Sequence, residues 1–324
     1  MTKAVRIHNY GGPEALRYED VGDDLPSAGQ VRLKQTAIGL NFIDIYYRTG
    51  VYKVPQMPVT LGCEAAGVIE ALGEGVTEFK VGDRVCYGGG FGGYAEARSM
   101  PADRLIKIPD SITDKQAAAM TLQGMTAQYL LRLTYRVKKG ETILVHAAAG
   151  GVGLIMCQWA KHLGVTVIGT VGSEAKAKLA ADHGCDHPVI YTKEDYVARV
   201  KQITGGAMLP VVYDSIGKDT FERSLDCLQP RGLMVSFGNA SGKVEPVDLQ
   251  ILSQKGSLFL TRPTLNSYNI TRAELLANAK ELFDVVLSDA VKIEIGQTYK
   301  LKDVAQAQID LAARKTTGST IILP

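Results

Sequence analysis

The run Ile143-Leu144-Val145-His146-Ala147-Ala148-Ala149-Gly150-Gly151-Val152-Gly153 limits what this chain can become more than any other stretch. An apolar β run meets a glycine turn. Val152, Ile155, Met156, Trp159 and Leu163 then recur at helical spacing until Gly164 stops them. Glycine is required where a backbone must approach a pyrophosphate closely and where a helix packs tightly on a strand. The helix N-terminus adds unpaired N–H groups and a partial positive charge. The spacing is AxxGxxG, with Ala147 at the usual first glycine. A glycine turn that binds nothing is the alternative, and the context argues against it. Strand-like runs continue at 165–168, 189–191, 211–213, 233–237 and 258–260. Helices are expected between them at 174–183, 195–203, 220–228 and near Leu249. Short apolar strands alternating with helices predict a doubly wound parallel sheet, an α/β domain, covered on both faces.

The end of the second strand addresses which dinucleotide is bound. An acid about 20 residues beyond the turn would hold a ribose 2′-hydroxyl. Here the strand ends Gly169-Thr170-Val171-Gly172-Ser173, and Lys176 follows. A hydroxyl and an ammonium suit a 2′-phosphate. Glu174 argues the other way unless it points outward, and a solvated surface lysine is the alternative reading of Lys176.

Residues 1 to about 110 hold short alternating runs broken by glycine, as in 31–34, 65–72 and 83–86, and predict a mostly antiparallel β domain. One helix is expected from Phe42 to Arg48, closed by Gly50. Another opens at Thr113-x-x-Gln116, a capping-box pattern repeated at Thr271-x-x-Glu274. Strand-like residues near 293–295, a helix at 304–313 and a strand at 320–323 read as a tail that returns to the first domain. The expected division is 1–124, 125–262 and 263–324. The cluster Gly88-Gly89-Gly90-Phe91-Gly92-Gly93 leads into Tyr94–Ala97, read as a strand, so it reads as a flexible hairpin loop rather than an anion site.

With 36 Lys and Arg against 34 acidic residues, the net charge of +2 gives no support to a nucleic-acid or membrane surface. No stretch reaches transmembrane length, and the N-terminus has no apolar signal core. Five scattered cysteines without a CxxC spacing argue against a disulfide frame or a thiolate zinc site and fit a cytoplasmic protein. His146 is expected in the core, as is Trp159, and no Ser-His-Asp or Cys-His arrangement is legible.

Further segments point to one family: Ala4-Val5-Arg6, Asn41-Phe42-Ile43-Asp44-Ile45-Tyr46, Gly62-Cys63-Glu64-Ala65-Ala66-Gly67, Leu122-Gln123-Gly124-Met125-Thr126, Tyr213-Asp214-Ser215 and 231–238. With the 146–153 turn, they resemble the quinone oxidoreductase (zeta-crystallin-like) branch of the medium-chain dehydrogenase/reductase superfamily. The resemblance implies a GroES-like, mostly β catalytic domain with the Rossmann domain inserted and the nucleotide between them. Zinc alcohol dehydrogenases of the superfamily carry Cys-His-x-Asp where this chain has Asn41-Phe42-Ile43-Asp44, and Gly-His-Glu where it has Gly62-Cys63-Glu64. Catalytic zinc needs about three protein ligands, so the expected metal set is none.

The resemblance implies NADPH as cofactor. Gly150, Gly151 and Val152 would face the pyrophosphate, and Ser173, Lys176, Tyr191 and Arg314 the 2′-phosphate region. Phe237, Gly238 and Asn239 would meet the nicotinamide side, with Thr126 near its amide. Arg262 reads either as a cofactor or substrate contact or as hinge structure. Asn41, Tyr46, Tyr52 and Gln123 would line the acceptor site, with both tyrosines as phenol donors or as simple packing. Glu64 reads as a structural ion partner. The implied activity is reduction of a small quinone by a homodimer. The alternatives are a reductase of α,β-unsaturated aldehydes and ketones, and a nucleotide-regulated RNA-binding or crystallin-like protein.

Overall fold

The computed structural model describes residues 1–324, which divide into two compact units. The first holds Met1–Met125, Asn269–Leu287 and Ile293–Pro324. The second holds Thr126–Tyr268 and Ser288–Lys292.

In the second unit six strands lie parallel in the order His187–Ile190, Thr166–Val171, Thr142–Val145, Leu209–Asp214, Leu228–Ser236, Phe259–Thr261. Numbered along the chain, this is 3-2-1-4-5-6, the doubly wound order whose direction reverses beside the first strand. Helices Gly151–His162, Glu174–Asp182 and Tyr196–Ile203 form the first crossovers. Leu144, Ile168, Val189, Val212 and Met234 interlock in one apolar cluster. Burial on both faces explains why the strands read as continuous apolar runs rather than alternations.

The first unit is β-rich. Gln30–Leu40 pairs antiparallel with Glu64–Leu72, Ala97–Pro101 and Ser319–Leu323. The tail thus rejoins the first sheet, with Ile295–Lys300 parallel to its last strand. A smaller antiparallel sheet joins Thr2–Ile7 to Arg17–Val21 and Val59–Thr60. Both capping boxes form. Thr113 N–H donates to Gln116 Oε1 (3.0 Å) and Gln116 N–H to Thr113 Oγ1 (3.2 Å). Thr271 and Glu274 exchange the same pair at 2.8 and 3.2 Å.

Three local expectations are corrected. The strand expected at Tyr94–Ala97 begins only at Ala97. Before it Ala95 alone bridges Ala4, with Val5 N–H on Tyr94 O, and Gln35 N–H takes Glu96 O. The strand expected at 293–295 runs instead at Ile295–Lys300. The glycine loop is tied down rather than loose: Gly89, Gly92 and Gly93 N–H groups donate to the carbonyls of Cys63, Thr60 and Gly62 at 2.6–2.9 Å.

Candidate functional site

The strand Thr142–Val145 hands over to the glycine turn at the reversal of the sheet order. Ala147 takes a left-handed φ of 54°, the conformation that the usual first glycine adopts cheaply and alanine adopts at a cost of about 1–2 kcal/mol. Gly150 N–H closes the turn on Ala147 O at 2.9 Å. The first i→i−4 bond of the following helix is Leu154 N–H to Gly150 O (2.8 Å), so Gly151, Val152 and Gly153 keep their N–H groups for an outside acceptor. A Cβ on Gly153 would stand 2.3 Å from Ala147 O, so only glycine lets this helix approach the turn. The cradle fits a pyrophosphate.

The next two strand ends bring Ser173, Lys176 and Tyr191 together. Ser173 caps its helix, Oγ accepting from Lys176 N–H at 3.4 Å. Tyr191 N–H donates to Val171 O (3.1 Å), and its hydroxyl stands 3.0 Å from where a Gly172 Cβ would lie. Glu174, the residue that argued against a phosphate here, is bound to Lys193 Nζ at 2.8 Å. Arg314 is an exposed residue of the first unit, just past the helix Val304–Ala312.

At the ends of the fourth and fifth strands two loops are stitched together. Ala240 N–H and Ser241 N–H donate to the carbonyls of Ser215 and Ile216, and a Gly238 Cβ would lie 2.3 Å from Ser215 O. Arg262 donates from Nη1 to Ser236 O (2.8 Å) and from Nη2 to the Asn239 amide oxygen (3.1 Å), which holds the Phe237–Asn239 segment in place. Thr126, on the helix Asp114–Tyr129, is buried.

The structure also assembles a relay that sequence reasoning missed. His146 is buried, as expected, at 2% exposure. Its Nδ1 lies 2.8 Å from Thr170 Oγ1 and its Nε2 2.8 Å from Ser224 Oγ, whose hydroxyl faces Asp214 Oδ2 at 3.4 Å. Asp214 also accepts from Ile216 and Gly217 N–H and from Thr220 Oγ1. The serine stands between histidine and aspartate, and all are buried, so this is no nucleophile triad. Burial lowers the imidazole's pKa, and each hydrogen bond of the neutral ring is satisfied. The relay fastens the residue before the phosphate turn to the second and fourth strand ends.

In the first unit, Asn41 N-caps the helix Phe42–Arg48, and its N–H donates to Asp44 Oδ2 at 2.9 Å. A chain of donors then points one way. Ser319 Oγ reaches Gln123 Oε1 (2.8 Å), Gln123 Nε2 donates to Asn41 Oδ1 (3.0 Å), and Asn41 Nδ2 donates to Glu64 Oε2 (2.8 Å). Leu122 N–H donates to the other Glu64 oxygen at 2.6 Å. Glu64 therefore has amide donors, not the ion partner expected of it. Burial pushes its carboxyl up to about 8. Asn41 and Gln123 are each 6% exposed, with their amides committed to protein. Tyr46 and Tyr52 meet edge-to-face, ring centroids 5.3 Å apart.

A quinone oxidoreductase of Pseudomonas aeruginosa is 54% identical over 325 residues, covering all of both chains. The chain belongs to the quinone oxidoreductase family. Two family models match: an alcohol dehydrogenase GroES-like domain at residues 27–110 and a zinc-binding dehydrogenase domain at residues 151–283. The crystal structure of Escherichia coli quinone oxidoreductase complexed with NADPH superposes with TM-score 0.98 at 48% identity, covering all of both chains. A 2-haloacrylate reductase of Burkholderia is 46% identical over 331 residues, covering 100% of this chain and 99% of its own.

The zinc in the second model's description does not fit these residues. No three His, Cys, Asp or Glu side chains converge on a metal position. Cys63 is buried, and burial followed by the Asp44 charge pushes its thiol well up, away from the thiolate that zinc takes.

Proposed function

We propose that this chain is an NADPH-dependent quinone oxidoreductase that works without zinc. The observation that carries it is the Tyr191 hydroxyl beside Gly172 at the start of the helix that Ser173 caps and Lys176 follows, with Glu174 paired to Lys193. That corner offers donors to a 2′-phosphate and no acid to a 2′-hydroxyl. NADPH supplies the hydride when bound. The chain's own residues do the rest. Gly151 and Val152 present amides to the pyrophosphate, and Gly150, whose own N–H closes the turn on Ala147 O, leads the chain into them. Phe237, Gly238 and Asn239, braced by Arg262, carry the nicotinamide side, and Thr126 stands by its amide. Arg314 is a candidate second cation for the 2′-phosphate.

For the acceptor, Tyr46 and Tyr52 donate hydrogen bonds to a carbonyl oxygen as it gains charge. Asn41 and Gln123 act as positioning residues, because their amides are bound to protein and fix the start of the helix that carries Tyr46. In a quinone the new negative charge delocalises, so hydrogen-bond donors stabilise it without a Lewis acid.

The 2-haloacrylate reductase relative favours one second reading, reduction of other conjugated acceptors. Turnover of NADPH by the purified chain with 1,4-benzoquinone and with α,β-unsaturated aldehydes, ketones and 2-haloacrylates decides between them. Quinone turnover is expected to dominate. Turnover of the other acceptors with none of quinones overturns the proposal.

A homodimer is part of the same reading. Phe259–Thr261 ends the parallel sheet with one side unpaired, and Phe259 is 61% exposed there. Sedimentation is expected to give a dimer at micromolar concentration, and a monomer overturns it. No helix is long and apolar enough to cross a membrane. The five buried, unpaired thiols support a reducing compartment such as the cytoplasm.

A further inference from the structure

The glycine cluster at 88–93 lies apart in sequence from the phosphate turn, and its geometry is costly and specific. Gly89, Gly90 and Gly92 have φ of 126°, 76° and 100°, so the chain turns through left-handed backbone on both sides of Phe91. Side-chain residues rarely adopt those angles. The loop is then fixed by three backbone hydrogen bonds, by Gln35 Nε2 on Gly93 O (3.0 Å), and by Arg98 on Phe91 O. The result holds one aromatic ring in a set place.

That ring continues a strip. Phe42 and Tyr46 share a face of the helix Phe42–Arg48, centroids 6.2 Å apart. Tyr52 sits in the angle between Tyr46 (5.3 Å) and Tyr47 (5.7 Å), both at 69°. Phe91 closes on Tyr47 at 4.6 Å and 74°. Tyr47 and Phe91 lean on the apolar core of the first unit but keep part of their surface open, as do Phe42 and Tyr52. A row of rings, partly open except for the buried Tyr46, is a surface for another π system.

We propose that this strip is an extended acceptor subsite for planar fused-ring quinones, with Phe91 as its specificity-determining residue. It rests on the reading above that places Tyr46 and Tyr52 at the acceptor. A single-ring quinone held by those two tyrosines gains nothing from Phe91. A fused-ring quinone reaches along Tyr47 and stacks on it.

The test compares 9,10-phenanthrenequinone with 1,4-benzoquinone at saturating NADPH, in wild type, Phe91→Leu, Phe91→Ala and Phe91→Trp. Phe91→Leu keeps the apolar packing and removes the π face, so it stands if the alanine variant unfolds. The ratio of kcat/KM for phenanthrenequinone over benzoquinone is expected to fall roughly five- to tenfold in the leucine and alanine variants, mainly through KM. Phe91→Trp should keep it. Calorimetric titration with phenanthrenequinone alone should show the same loss of affinity, while the NADPH dissociation constant stays within about twofold. An unchanged ratio, or a parallel fall for both quinones, overturns the subsite. Absence of all quinone turnover in the wild type overturns the proposed function instead, and the calorimetric comparison still reads the subsite.

Discussion

Substituting Gly153 with alanine tests the phosphate turn where it is tightest. The added Cβ would lie 2.3 Å from Ala147 O and 2.8 Å from two Ala148 backbone atoms. That is roughly 1 Å short of ordinary contact, and the obstacle is backbone that no rotamer can relieve. The helix must retreat from the turn. Overpacking of this kind costs about 1–3 kcal/mol, offset by about 1 kcal/mol from alanine's better helix propensity. A net loss of about 0–2 kcal/mol in apo stability is expected. The Gly151 and Val152 amides move with the helix, so the NADPH dissociation constant is expected to rise roughly ten- to a hundredfold, about 1.4 kcal/mol per decade. Gly150→Ala is the internal control. Its Cβ would meet Ala147 O at 3.3 Å in an extended backbone, so affinity should change by less than about threefold. Nicotinamide fluorescence titration and apo thermal unfolding read both quantities. Equal affinity in Gly153→Ala and wild type, or an equal loss in Gly150→Ala, refutes the reasoning.

Lys176→Ala is expected to weaken NADPH binding about tenfold and leave NADH binding nearly unchanged, measured by parallel titrations; equal effects would mean that this lysine does not read the phosphate. Asp44 gives a pH prediction. Burial raises its carboxyl to about 6 from the ordinary 3.8, so its contribution to stability is complete below about pH 4 and is lost as pH rises through about 6. Asp44→Asn keeps an acceptor for Asn41 N–H and Tyr94 O–H, and places an NH2 where Oδ1 has no partner. Chemical denaturation from pH 4 to 8 should show the variant gaining on wild type by up to about 3 kcal/mol above pH 6, and a flat difference rejects the assignment. His146→Leu leaves Thr170 and Ser224 without their shared partner and is expected to cost about 2–4 kcal/mol of stability, with weaker NADPH binding. A variant as stable as wild type would remove the relay from the site.

The nucleotide half was legible because its signals are local: a glycine spacing, apolar runs of strand length, and the absence of an acid at Ser173. What was not legible depends on partners far along the chain. His146 and Ser224 stand 78 residues apart, and nothing in either segment announces the other. Glu64 suggested an ion pair because carboxylates in sequence invite a cation. Its actual donors are a side-chain amide and the Leu122 backbone N–H, which has no sequence signature. Tyr94–Ala97 reads like a strand, but its first three residues make a single bridge to Ala4 and the ladder begins only at Ala97. The return of Ser288–Lys292 to the second unit rests on Gln158, which bonds both Lys292 O (3.0 Å) and Lys292 N–H (2.8 Å). The five glycines around Phe91 suggested looseness, whereas the left-handed angles of Gly89, Gly90 and Gly92 serve a fixed turn.

The most direct measurement treats the purified chain with a chelator, verifies that it holds no zinc, titrates it with NADPH, and then adds 1,4-benzoquinone. An NADPH complex in the micromolar range or tighter, followed by full turnover without added metal, is the expected result. No fluorescence change up to millimolar NADPH, or turnover that returns only with zinc, would contradict a metal-free hydride donor site built on the 146–153 turn.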